Sequence, residues 1–174
     1  MRHNKEKGPC PCARCAAIAG GLSPEEADAQ QQAWQIEALG KQGFYVHYIT
    51  QDDATPTGFN AHSHGLQQYD HLDFQLIVPL PPEIGHSIIS DLANRVKGGE
   101  RFEPGQVLDK VVRNFNVKLI EATESDRKVL RIILPDPQGG LEPEEISERY
   151  SVQYADTPFA TTKKKKPWIA SKYK

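Results

Sequence analysis

The hydrophobic period of this chain changes abruptly at Pro81-Pro82, and that change limits the folds open to it. From Leu72 to Leu80 apolar side chains fall at every second residue (Leu72, Phe74, Leu76, Val78, Leu80), with His71, Asp73 and Gln75 at the alternate positions. Period-2 alternation over this length is the mark of a strand with one apolar face. Directly after the two prolines, Ile84, Ile88, Leu92 and Val96, with Ile89 and Ala93 beside them, form a 3.6-period stripe that stops at Gly98-Gly99. That stripe predicts an amphipathic helix with a glycine stop. A strand and a helix, each with one face to bury, point to an α+β domain.

The remaining elements fill in around this pair. Ser23-Pro24-Glu25-Glu26 is a capping box with proline at the first helical position, which predicts a helix over about 24–39 with Gly40 as its stop. Ala27, Trp34 and Ala38 share one side of it as a packing stripe. Phe44 to Thr50 and Gly58 to His64 read as strands around a polar turn at 52–56. Asn116 to Glu121 and Lys128 to Leu134 read as a further pair around a polar turn at 124–127, ended by Pro135-Asp136-Pro137 and Gly139-Gly140. The expected fold is a mainly antiparallel sheet of about five strands with two principal helices packed on one face. At 174 residues, one domain is the default. The expected boundaries are a cysteine-bearing arm over 1–22, the α+β domain over 23–156 and a lysine-rich disordered tail over 157–174.

Charge narrows the class of partner. The net charge is −2, yet six lysines and no acid follow Asp156, so the preceding residues are clearly acidic. An acidic body does not suit a phosphate-binding face, and only the tail, with Trp168 and Tyr173 for stacking, could contact nucleic acid. The sequence contains neither an 18-residue apolar run nor a signal-like apolar stretch after Met1, so no membrane association is expected. Three cysteines within six residues make a poor disulfide framework and suit a reducing cytoplasm.

Chemistry-bearing residues concentrate in Asn60-Ala-His62-Ser-His64-Gly65-Leu66 and Tyr69-Asp70-His71-Leu72-Asp73. Residues two apart on a strand share a face, which pairs His62 with His64 and His71 with Asp73. A hairpin turning over 65–70 would gather three imidazoles and a carboxylate, a donor set suited to zinc or another divalent transition metal. The same spacing also suits histidines hydrogen-bonded on an outer sheet face with nothing bound, or one histidine oriented by Asp73 or Asp70 as a general base. Cys10, Cys12 and Cys15 offer three thiolates for a second or shared structural metal, or inert thiols on the arm. His47 reads as a packed strand residue and His86 as a boundary residue of the second helix.

The run His62-Ser-His64-Gly65-Leu66, then His71-Leu-Asp73, then Leu76-Ile-Val-Pro-Leu80-Pro-Pro-Glu83 and the helix to Lys97-Gly-Gly-Glu100-Arg-Phe102 resemble the bacterial family called domain of unknown function 4262. Pro104-Gly105, Val129 to Asp136 and Tyr150 to Gln153 extend the resemblance over about 40–155. It implies a compact bacterial α+β domain, often with a cysteine-bearing arm, and no activity. Ser63 stands where many relatives carry threonine, which keeps the hydroxyl. The sequence thus predicts a metal-binding domain at His62, His64, His71 and Asp73. If it is an enzyme, metal-activated water would make it a hydrolase. The alternatives are a protein-interaction module of the immunity or accessory kind and nucleic-acid contact through the tail.

Overall fold

The computed structural model describes residues 13–50, 52 and 55–156. Cys10, Cys12 and the lysine-rich tail lie outside the described residues. Among the described residues, four α-helices, α1 (Ala13–Ala19), α2 (Pro24–Gln42), α3 (Pro82–Lys97) and α4 (Glu148–Ser151), accompany strands β1 (Tyr45–Ile49), β2 (Asn60–His64), β3 (Asp73–Leu76), β4 (Val107–Val112), β5 (Phe115–Glu124) and β6 (Arg127–Ile133). The strands form one sheet in the order β1-β2-β3-β6-β5-β4. All neighbours are antiparallel except β3 and β6, which run parallel with Phe74 opposite Leu130. The fold is therefore α+β with a mixed six-stranded sheet, one strand beyond the expectation. The added strand is β4, an edge strand with no buried position, which explains its weak sequence signal. Among the described residues, no helix is long and apolar enough to cross a membrane.

The stripe of α3 is buried except at its first member, Ile84, which is exposed. Ile88, Ile89, Leu92, Ala93 and Val96 pack on Ala61, Phe74, Leu76, Leu119, Leu130 and Ile132 from the facing strands. Burying side chains of this size contributes about 1.5–3 kcal/mol each. Pro82 starts the helix where its missing N–H costs nothing.

Helix α2 begins at the capping box as expected: Ser23 Oγ accepts from the Glu26 N–H, and Glu26 Oε2 accepts from the Ser23 N–H at 2.8 Å. It runs past Gly40 and stops at Gly43, whose φ of 83° lies in the left-handed region. The Gly43 backbone N–H caps the helix by donating to the Leu39 carbonyl, and crowding at this point leaves no room for a side chain. A Cβ at Gly43 would meet the Tyr69 hydroxyl, and one at Gly65 would lie 2.7 Å from the Gly43 carbonyl oxygen. The end of α2 thus sits against the turn that follows β2. Trp34 on α2 is half exposed, and its ring meets that of Tyr45 edge to face with centroids 5.7 Å apart.

The sheet face opposite α3 is polar at its centre. Gln75 and Arg131 are adjacent there through the β3–β6 register, and both are buried. They are covered by the segment around α4: Arg131 Nη1 donates to the carbonyls of Gln153 (2.9 Å) and Ala155 (2.7 Å). The Gln153 side chain in turn bonds both backbone groups of Leu134, as a neighbouring strand would. The β3 sequence, with its polar positions at Asp73 and Gln75, predicts a half-buried strand; covering of the second face makes it fully buried instead.

Candidate metal centre

Strand register creates the site. β1 and β2 pair antiparallel with His47 opposite His62, and the two-residue step along β2 puts His64 on the same face. The ring centroids lie 5.1 Å apart for His47 and His62, 4.8 Å for His62 and His64, and 6.2 Å for His47 and His64. One nitrogen from each ring lies within 4.8 Å of the other two. His62 forms the buried floor, while His47 and His64 are half-buried at the rim. Tyr45, opposite His64 in the register, stacks on it with centroids 4.8 Å apart.

A chain of side chains whose ends have fixed hydrogen-bonding roles sets the tautomer of His62. Arg131 can only donate, and its Nε gives a proton to Gln75 Oε1 at 2.8 Å. Gln75 Nε2 is then a donor and reaches Asn60 Oδ1 at 3.2 Å. At the other end, Asn60 Nδ2 donates to the Asp52 carboxylate at 2.8 Å, which confirms the orientation of the amide. The 3.1 Å contact between His62 Nδ1 and Asn60 Oδ1 therefore has the imidazole as donor. Nε2 of His62 is left with its lone pair, the state a metal ligand requires.

Electrostatics keep the rings neutral. Burial holds His62 well below the ordinary histidine range, and the neighbouring His64, His47 and Arg127 lower it further. His64 is pushed down to about 3, by burial first and then by Arg127 and His47. His47 is also lowered by burial, against an opposing pull from the Glu124 carboxylate. Neutral imidazole is the ligating form.

Of the residues singled out in the sequence, the structure brings His62 and His64 together and places His71 and Asp73 elsewhere. The β2–β3 register sets Gln75, not His71, beside His62. His71 precedes β3 and packs between Phe74 and Phe102; its Nε2 accepts the Phe102 N–H at 3.0 Å and its Nδ1 donates to the Leu72 carbonyl. Both of its nitrogens are committed. Asp73 is fully buried and accepts from Ser63 Oγ (2.8 Å), the Leu66 N–H (3.2 Å), Gln67 Nε2 and Arg127 Nη1. Those four donors occupy the lone-pair sites that a metal would need. Cys15 lies half-buried on α1. His86 sits on an exposed part of α3, within 3.3 Å of Ser90 Oγ.

The third imidazole comes from His47, which sequence reasoning assigned to packing. Its signal was its place on a strand beside the His62 strand, and only the register gives that signal meaning. Glu124, assigned to a polar turn, closes the site from β5. It is buried, and its Oε1 lies 3.7 Å from His62 Nε2.

No curated protein and no solved structure matches the chain. A family model described as "Domain of unknown function (DUF4262)" matches residues 38–141, a span that holds all three imidazoles, Glu124 and the β3–α3 unit. The chain belongs to the DUF4262 family.

Proposed function

We propose that this protein is a metal-binding domain whose centre is formed by His47, His62 and His64. The observation that carries this reading is the convergence of three neutral imidazoles within 4.8 Å on one sheet face. When three nitrogens bind one ion at about 2.0–2.1 Å they stand roughly 3.3 Å apart, so modest side-chain rotation closes the site. Nitrogen donors of this kind suit zinc or another divalent first-row metal. Partial exposure of His47 and His64 leaves room for water on the ion, and activation of that water for hydrolysis is the reaction class such a centre serves. A cytoplasmic location accompanies the reading, because reduced cysteines persist there.

Elemental analysis of tag-free protein tests it. About one equivalent of metal is expected in the wild type. His62→Ala/His64→Ala should lose it and Cys12→Ala/Cys15→Ala should keep it. Loss in the cysteine variant alone would move the site to the arm, and wild-type protein without metal after purification and after incubation with Zn²⁺ would end the proposal.

A protein-interaction module is the second reading. It is favoured by an apolar groove of about 580 Å³ between α3 and the β4–β5 hairpin, where Ile84 and Phe115 are exposed. On that reading a chelator leaves the melting temperature unchanged, whereas loss of a metal bound only by the folded state lowers it.

A further inference from the structure

We propose that Glu124 is the fourth protein ligand of this centre, giving a donor set of three imidazoles and one carboxylate for a divalent first-row ion, with the exposed rim left for water as a fifth ligand. The inference rests on the metal reading above and extends it to a residue from the other half of the sheet. With Nδ1 of His62 donating to Asn60, Nε2 faces Glu124 Oε1 at 3.7 Å as one acceptor facing another. The separation exceeds a hydrogen bond, and a neutral ring has no proton to place there. Two electron-rich atoms held face to face in a buried site are stabilised by a cation between them. Ligands at about 2.0–2.2 Å from a shared ion stand roughly 3.4 Å apart, so the His62–Glu124 gap needs to close by only a few tenths of an ångström, and His47 and His64 reach the same ion by the side-chain rotation described above.

The rest of the Glu124 environment fits a ligand. Its Oε2 accepts from Arg127 Nε at 2.9 Å, and Ser125 Oγ donates to Oε1 at 2.9 Å. One lone pair on Oε1 remains for the ion. Arg127 is itself fixed by Asp73 and by the Ser63 carbonyl at 2.8 Å. The carboxylate is thus aimed by an outer layer of charge-assisted bonds, as metal-ligating carboxylates are. Asp73, expected from sequence to bind the metal, is on this account a positioning residue that acts through Arg127. With a carboxylate as its only anion, the filled centre has one net positive charge, and it favours the nitrogen- and oxygen-seeking ions over copper(I).

Cobalt(II) chloride is the probe, because its visible d–d bands report the donor set directly. Wild-type protein, Glu124→Gln and Glu124→Asp are titrated, with folding checked by circular dichroism; the aspartate variant keeps the charge should the amide fail to fold. Shifted d–d bands in a folded variant are expected, with affinity reduced by more than the about 10- to 100-fold that loss of an outer partner produces. Weaker binding with unchanged bands would overturn the proposal, since it marks Glu124 as an orienting group only. Unchanged affinity and bands would overturn it too, leaving the three-histidine centre standing. Wild-type protein that takes up no cobalt and no zinc would remove the metal reading itself.

Discussion

His62 owes its tautomer to side chains that do not touch its Nε2. Arg131, Gln75 and Asn60 pass a fixed donor role from one side chain to the next, and the result is a lone pair at Nε2. The depressed basicity of His62 and His64 also couples the cluster to folding. In the unfolded chain these rings take a proton near their ordinary value of 6.5, whereas in the fold His64 does so only near 3. The unfolded state holds more protons between those limits, so stability falls as pH is lowered through that window. Urea midpoints of metal-free protein measured from pH 7 to pH 4 should decline. His64→Gln should flatten the decline, and an equally steep profile in that variant would show that other groups cause it.

The elements that could be read from sequence are those whose burial is decided locally. α3 and β3 announce themselves because each has one continuous apolar face, and the capping box fixes where α2 begins. The end of α2 was not legible, since Gly40 and Gly43 look alike until Tyr69 and Gly65 crowd the second of them. The site was half legible for a related reason. The His62/His64 spacing is a property of one strand, but the contributions of His47 and Glu124 depend on which residues of β1 and β5 fall opposite which neighbours. The crossing at Gly65 has a measurable consequence. Its φ of 114° and its approach to the Gly43 carbonyl make Gly65→Ala costly, by about 1–3 kcal/mol for the backbone alone. A lower melting temperature and weaker Zn²⁺ binding are expected together, because the turn sets the end of the strand that bears His64. A variant as stable as wild type would show that the α2 end readily gives way.

At the scale of the molecule, one buried guanidinium joins the sheet to the segment that covers it. Burial lowers Arg131 to about 10, so it remains charged at neutral pH and must keep its acceptors. Arg131→Leu strips a donor from Gln75 and from the Gln153 and Ala155 carbonyls, and a loss of about 1–3 kcal/mol for each acceptor left buried and unpaired is expected. Hydrogen exchange should then show faster opening of residues 148–155 than of α3, and uniform opening would mean that the segment is held by its other contacts. The parallel pairing of β3 with β6 has a further consequence for the order of events during synthesis. The three imidazoles are made before α3, whereas Glu124, Arg127 and Arg131 are made only after α3 and β4. A nascent chain therefore presents loose histidines well before the groups that aim them, and on the metal reading proposed above, selection of the ion would belong to the finished fold rather than to the emerging hairpin.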